Sequence, residues 1–398
     1  MPTFMSPRIY HGAGSLDALD MIRGSKCFIT TDKVLLKLGT VQILLDKLKS
    51  AGKEWVIFDE VEPDPKETTI LRATKQCIAY GPDLVIGLGG GSSLDTAKTV
   101  WFLYEHAEDG LTIDDINPFG DLHMGIKAKC IAIPTTSGTG AEVTWAVVIT
   151  RIEGEKNMKL EQPHPDIVPT YAIVDPIFTK SLPKSLTAAT GFDALAHSCE
   201  GLLATWRNDL ADANCIGALS LIKEFLPKAY HDGSDMIARE KMANAATLAG
   251  LGFGNSNVII GHSLGHTLGA IFHLTHGLAV GLVLPYILEF IINDKTLVEA
   301  QKILGKASRQ IGLCSWTETD QKAVQAFIRW IRNLQKEVNL PQTLAAAGIT
   351  KEALNANMEK LVLLTNESPS ITLSPRNASN EEIRKLYEYI YAGKPIDF

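Results

Sequence analysis

The chain has 398 residues, 45% of them hydrophobic and 21% charged, with a formal net charge of −7 and a pI near 5.8. That length accommodates two domains with large cores, and without a basic tract the expectation is no nucleic-acid partner and no membrane partner. The six cysteines are scattered with no CxxC pair, which disfavours a disulfide framework or a thiolate zinc site and fits a cytoplasmic protein.

In chain order, "MPTFMSPRIYHGAG" lacks the basic region and apolar core of a signal peptide. Strand patterns follow at 26–30, 54–59, 83–89, 129–136 and 171–176. Helical patterns separate them: one to about Ser50, then 67–80 and 92–106. "VTWAVVIT" and "NMKLEQ" read as a hairpin across "RIEGEK". Such alternation predicts a doubly wound, Rossmann-like α/β domain over residues 1–180. Helical patterns then dominate residues 181–398, at 187–204, 209–225, 236–252, 278–292, 295–311 and 318–337. The expected fold class is therefore an N-terminal α/β domain followed by an all-α C-terminal domain. "GLAVGLVLPYILEFII" (277–292) is interrupted by Gly281, Pro285 and Glu289 and reads as buried helix and turn, not a membrane span. "TNESPSITLSPRNASN" (365–380) is the most loop-like stretch.

"GLGGGSSLDTAK" (87–98) joins a buried strand to a helix. Glycines there let backbone approach a phosphate at a helix N-terminus. The G-x-G-x-x-G fingerprint is not met, and strand-to-helix turns need glycine for their own sake. "IPTTSGTGAEVT" (133–144) also leaves a buried strand, with Thr135, Thr136, Ser137 and Thr139 around two glycines. It reads either as a ligand loop or as a solvated turn. Asp32 follows the first strand pattern. Its carboxylate either accepts ribose hydroxyls and repels a 2′-phosphate, or caps the next helix.

Asp193 and His197, in "TAATGFDALAHSCEG", stand four apart on one helix face among small and apolar residues. A carboxylate and an imidazole in such company need a partner. "GHSLGHTLGAIFHLTHG" (261–277) holds His262, His266, His273 and His276, four of the ten histidines. On a single helix these four would fall within an arc of roughly 80°. Asp193, His197 and two of these histidines would make an oxygen and imidazole set suited to Fe(II), Zn(II), Mn(II) or Co(II).

Taken together, "GGGSSLDTAK", "IPTTSGTGAEVT", "AIVDP", "LTAATGFDALAHSCEG" and "GHSLGHTLGAIFHLTHG" resemble the iron-dependent (group III) alcohol dehydrogenases over essentially the whole chain. The resemblance implies the two-domain fold shared with dehydroquinate synthase-like enzymes. It also implies a single divalent metal, iron(II) with zinc(II) as the alternative, held by Asp193, His197, His262 and His276. It makes His266 a catalytic candidate in the proton path and leaves His273 without an assigned role. It gives Gly89, Gly90, Gly91 and Ser92 to the NAD pyrophosphate, Thr135, Thr136 and Thr139 to phosphate or nicotinamide, and Lys159 and Leu182 to the cofactor lining. It makes Asp32 the acidic position that favours NAD over NADP. Trp145 and Phe253 are the substrate-pocket candidates.

The implied activity is hydride transfer between NAD(H) and a short primary alcohol or small diol, or its aldehyde, by a homodimer or larger homo-oligomer. One alternative is a dehydroquinate synthase-like lyase. Its polyanionic substrates need basic residues, and positions 245–290 contain no Lys or Arg. The other alternative is a catalytically idle assembly scaffold.

Overall fold

The computed structural model describes residues 3–154 and 156–398. The chain divides into two compact units, Met1–Ser181 and Leu182–Phe398. In the first lie β1 (Arg8–His11), β2 (Lys26–Thr30), α1 (Lys33–Lys37), α2 (Thr40–Ser50), β3 (Glu54–Phe58), α3 (Glu67–Tyr80), β4 (Leu84–Gly89) and α4 (Gly91–Glu105). They are followed by β5 (Lys129–Pro134), β6 (Ala146–Glu153), β7 (Lys156–Pro163) and β8 (Tyr171–Val174).

Six of these strands form one sheet in the order β1-β8-β5-β4-β2-β3, and every pairing in it is parallel. β4 is buried at each position, as expected where helices cover both faces of a parallel sheet. Apolar clusters flank the sheet, one around Phe28, Phe58 and Phe102 and another around Leu19, Leu44 and Phe178. From β2 the chain places β3 on one side and β4 on the other. That reversal is a topological switch point, where open α/β sheets bind ligands beyond their carboxyl ends. β6 and β7 pair antiparallel as a separate hairpin; residue 155 of its turn lies outside the described residues.

Two local readings need correction in this unit. The helical stretch after β2 is broken into α1 and α2 because Gly39 adopts φ 75° between them. The strand β1 carried too little apolar pattern to be read, and it is an edge strand paired with β8 alone.

The second unit is helical: α5 (Lys184–Leu203), α6 (Asp209–His231), α7 (Met236–Phe253), α8 (Ile260–Phe272), α9 (His276–Asn293), α10 (Val298–Gln310), α11 (Asp320–Glu337), α12 (Lys351–Glu367) and α13 (Asn380–Ala392). α9 passes the length and hydropathy test for a membrane span, but it is buried without a break from Ala279 to Leu288 inside this unit's own core. The stretch read as helix and turn is one continuous helix. Pro285 has no N–H to give the carbonyl of Gly281 four residues earlier. The fully buried Gln335 on α11 donates its side-chain amide to that carbonyl at 2.8 Å instead. The loop-like stretch 365–380 is also more ordered than its composition implies, with α12 running to Glu367 and a 3₁₀ turn over Pro369–Leu373.

Replacing Gln335 with Leu is expected to leave the Gly281 carbonyl buried without a donor and to cost about 1–3 kcal/mol. A urea midpoint that falls with unchanged slope would show it; an unchanged midpoint would mean that α9 does not depend on this bond.

Candidate functional site

The single helix that would have carried all four histidines of 261–277 on one face is not formed. α8 stops at Phe272, and His273 closes it with φ 57° in the left-handed region, its N–H donating to the Gly269 carbonyl at 3.0 Å. α9 then starts afresh at His276. His262 and His266 therefore project from α8, His276 comes from the first turn of α9, and His273 is an exposed helix terminus.

Three helices converge on one point. Asp193, His197, His262 and His276 each offer a ligand atom, and these atoms lie within 4.8 Å of one another. Asp193 and His197 sit one turn apart on α5, with 1% and 4% of their surface exposed. Gly277 sets the approach of α9: a Cβ there would stand 2.7 Å from the Ala189 carbonyl carbon on α5. No donor reaches the buried Asp193 Oδ1 with hydrogen-bond geometry. The Nε2 atoms of His276 and His197 stand 3.2 Å and 3.7 Å from it.

The protonation states suit ligation. Burial works to raise the Asp193 carboxyl, but the imidazoles of His197, His276 and His262 overcome it and hold the group well below the usual carboxylate range. Burial lowers His197 to about 3, against the opposing pull of Asp193. A carboxylate and a neutral imidazole at pH 7 are the forms a metal needs. Oxygen and nitrogen acceptors facing one point, three of them on buried residues and none a thiolate, fit a borderline divalent cation such as Fe(II) or Zn(II).

The ring of His197 is stacked on both sides. Phe253, at the end of α7, lies 3.9 Å away with planes 12° apart, and His262 lies 4.7 Å away at 21°. His266 stands next to the group without belonging to it, its ring 5.0 Å from His276 and 5.8 Å from His262. Glu200, also on α5, is fully buried, and its Oε1 lies 2.9 Å from His262 Nδ1. Its Oε2 accepts the N–H groups of Ile259 at 2.7 Å and His262 at 3.3 Å. Burial works to raise the Glu200 carboxyl, and those two backbone donors oppose it. Glu200 was not singled out from sequence, although positions 193, 197 and 200 share one helical face.

In the first unit Asp32, Gly89–Ser92 and the Thr135–Thr139 loop stand at the carboxyl ends of β2, β4 and β5. Gly89 ends β4, and a Cβ on it would lie 2.5 Å from Ser93 Cβ, so only glycine lets α4 start this close. Gly90 is the N-cap of α4 and provides no side-chain cap, and Gly91 and Ser92 open its first turn. The loop after β5 lies alongside. Thr135 N–H donates to the Gly89 carbonyl at 2.9 Å, and Thr136 and Thr139 approach the Cβ directions of Gly90 and Gly91. Ser137 Oγ is buried with no hydrogen-bond partner.

Asp32 caps α1, its Oδ1 accepting the N–H groups of Val34 at 2.8 Å and Leu35 at 2.9 Å. Lys159, on β7, is ion-paired with Asp64. Trp145 is half-buried in the first unit, where its carbonyl accepts the His164 N–H at 2.8 Å. Leu182 belongs to the second unit, and its carbonyl accepts a bond from the buried Arg239 at 3.0 Å.

A second pair escaped the sequence reading. Lys98, fully buried on α4, donates to the carbonyls of Ala141 at 3.1 Å and Ala146 at 2.6 Å and pairs with Asp95 at 3.1 Å. It thereby fixes the far end of the Thr135–Thr139 loop. The signal was a lysine inside the apolar helical run "LDTAKTVWFL".

Comparison with known proteins gives a consistent result. The sequence model described as iron-containing alcohol dehydrogenase matches residues 6–176, and its C-terminal companion matches residues 187–391. The chain is 36% identical to an NADPH-dependent butanol dehydrogenase of Clostridium saccharobutylicum, over 100% of both chains. It is 32% identical to a bifunctional aldehyde-alcohol dehydrogenase of Escherichia coli, of which it spans 46%. Among solved structures, a 1,3-propanediol oxidoreductase superposes with a TM-score of 0.86 at 27% identity, over 98% of this chain and 100% of the other.

A ligand that binds only the folded state stabilises it by mass action, by about 2.7 kcal/mol at a hundredfold excess over Kd. Adding Zn(II) to chelator-stripped protein is therefore expected to raise the melting temperature. Asp193→Ala and His197→Ala should each flatten that response, as read by differential scanning fluorimetry. A full response in both variants would place the bound metal elsewhere.

Proposed function

The chain belongs to the iron-containing alcohol dehydrogenase family and is an alcohol dehydrogenase, and from that premise we propose that it interconverts a short primary alcohol or small diol and its aldehyde with NAD(H). The reading includes Asp193, His197, His262 and His276 as the ligands of one iron(II). The observation that carries it is the meeting of one ligand atom from each of these four side chains within 4.8 Å, three of the residues being buried. A divalent ion there supplies Lewis-acid polarisation of an alcohol or carbonyl oxygen.

The remaining chemistry falls to the chain's own residues. NAD, when bound, would accept the hydride from the carbinol carbon, which leaves the hydroxyl proton for the chain to remove. His266, beside His262 and His276, carries that proton away and returns it to the carbonyl oxygen in the reverse reaction. Phe253, packed flat on His197, gives the site an apolar wall that excludes water, which favours short alkyl chains over charged substrates. Trp145 is proposed as a further substrate-pocket residue.

The glycine loop at Gly89–Ser92 presents the uncapped first turn of α4 to the pyrophosphate. Thr135, Thr136 and Thr139 add hydroxyl donors, and Lys159 and Leu182 are further cofactor-binding candidates. Asp32 spends Oδ1 on α1, and its Oδ2 accepts from the adenosine ribose and repels a 2′-phosphate. The named butanol dehydrogenase relative uses NADPH, so this position is where the two chains are expected to part. The free cysteines support a cytoplasmic setting, and a homodimer or larger assembly is proposed from the family.

Anaerobic protein loaded with Fe(II), assayed on butanol, ethanol and 1,2-propanediol with NAD or NADP, tests the reading. NAD should give the higher kcat/KM, and Asp32→Gly should narrow the gap to NADP at least tenfold; a native preference for NADP would remove Asp32 from the reading. His266→Ala should keep the metal and lose most turnover, whereas His262→Ala should lose the metal. Equal metal loss in the two variants would sink that division of roles.

A further inference from the structure

Three imidazoles meet at the proposed metal centre, and a neutral imidazole can present either ring nitrogen. Which one it presents is set by what the other nitrogen bonds. The three rings are oriented by different means. His197 Nδ1 has no hydrogen-bond partner, and its ring is held by stacking between Phe253 and His262. His276 occupies the first turn of α9 and lies against His266. His262 faces a carboxylate outside the four-residue group, Glu200, at 2.9 Å through Nδ1.

Glu200 does not meet this ring by chance packing. Its other oxygen receives the N–H groups of Ile259 and of His262 itself, so the carboxylate also caps the start of α8, the helix that carries His262 and His266. Gly261 makes room for it: a Cβ at that position would stand 2.9 Å from Glu200 Cδ. Residue 200 is thus tied to the backbone and to the ring of the same histidine. With Oε2 committed to the backbone, Oε1 is left with one orientation, toward Nδ1. With Nδ1 donating to it, the nitrogen left to His262 for a ligand is Nε2.

We propose that Glu200 is a positioning residue for the metal centre: it fixes His262 in the tautomer with the proton on Nδ1, aims Nε2 at the ion, and through the His262–His197 stack holds a second ligand ring in place. The proposal rests on the four-ligand reading above. Its test separates the two, because uptake of one metal per native chain, lost in Asp193→Ala, checks that reading independently. Carboxylate partners of this kind alter metal affinity by about 10- to 100-fold when removed.

The experiment compares native protein with Glu200→Gln and Glu200→Asp by three measurements. These are Zn(II) affinity by chelator competition, the visible absorption of the Co(II)-loaded protein, and thermal melting of the metal-free protein. A glutamine has one carbonyl oxygen, which serves either the α8 amides or His262 Nδ1 but not both. Zn(II) affinity is expected to fall by about 10- to 100-fold in Glu200→Gln, with a shifted Co(II) spectrum. Glu200→Asp keeps the carboxylate and is expected to recover part of the affinity. A role limited to capping α8 would lower the metal-free melting temperature in both variants, with Zn(II) affinity within threefold of native and the Co(II) bands unmoved. That result would overturn the proposal. Should Glu200→Gln fail to fold, Glu200→Asp decides: retraction of the carboxylate must move the Co(II) bands, and native bands would overturn the proposal.

Discussion

A carboxylate is costly to take out of water unless partners surround it at short range. Asp193 is 1% exposed inside a bundle of apolar helices, and much of the second unit's design follows from that. The partners cannot come from α5 alone, since a single helix face offers only its own next turn. They come from α8 and α9, so three backbones must approach closely. This is why α5 is small where it faces its neighbours. Ala188, Ala189, Ala194 and Ala196 interrupt what would otherwise be a run of large side chains, and Gly191 makes room for Leu226 of α6. It is also why α9 opens on glycine immediately after its histidine, with Ala189 backbone against it. The mass that these residues do not supply comes from elsewhere in the core, from Phe192, Tyr286, Phe290 and Phe327.

The first unit meets the opposite demand. On the proposed reading it leaves backbone N–H groups uncapped at the end of a strand and still keeps the loop rigid. Closeness again solves it, with Gly89 letting α4 begin against β4. The rigidity is supplied from below by Lys98, which gathers carbonyls of the neighbouring loop while paired with Asp95. Carbonyls and one carboxylate offset the cost of taking this ammonium out of water, and its bonds tie down a hydroxyl-rich loop.

The alternation of buried strands and helices was legible because a parallel sheet demands near-continuous apolar strands. β2, β4 and β5 could be read directly, and the fold class followed. β1 could not, because an edge strand of four residues has no such demand placed on it. Pro285 misled for a definite reason: the carbonyl it orphans is satisfied by Gln335, which lies 50 positions further on and on another helix. The four histidines of 261–277 misled in a similar way. Their spacing fits one helical face, yet His273 adopts a left-handed conformation. The break sends His276 to the same place by another route, from a separate helix.

Residues that would touch a ligand stand out in sequence because their types are rare in apolar surroundings, as Asp193, His197 and His262 are. The residues that hold them carry the same signature and were passed over. Glu200 and Lys98 are polar side chains inside buried helices, Gln335 is a buried one on the inner face of an amphipathic helix, and each has a specific partner in the structure: an imidazole, a set of carbonyls, a carbonyl that proline left bare. A buried polar residue without a partner is strongly disfavoured. Every such residue in an apolar helix therefore implies a second group at a definite place, whether or not it lies near the chemistry. Periodicity shows that the partner must exist, because it places the residue on a buried face. It does not show which partner, because that depends on how helices distant in sequence are brought together.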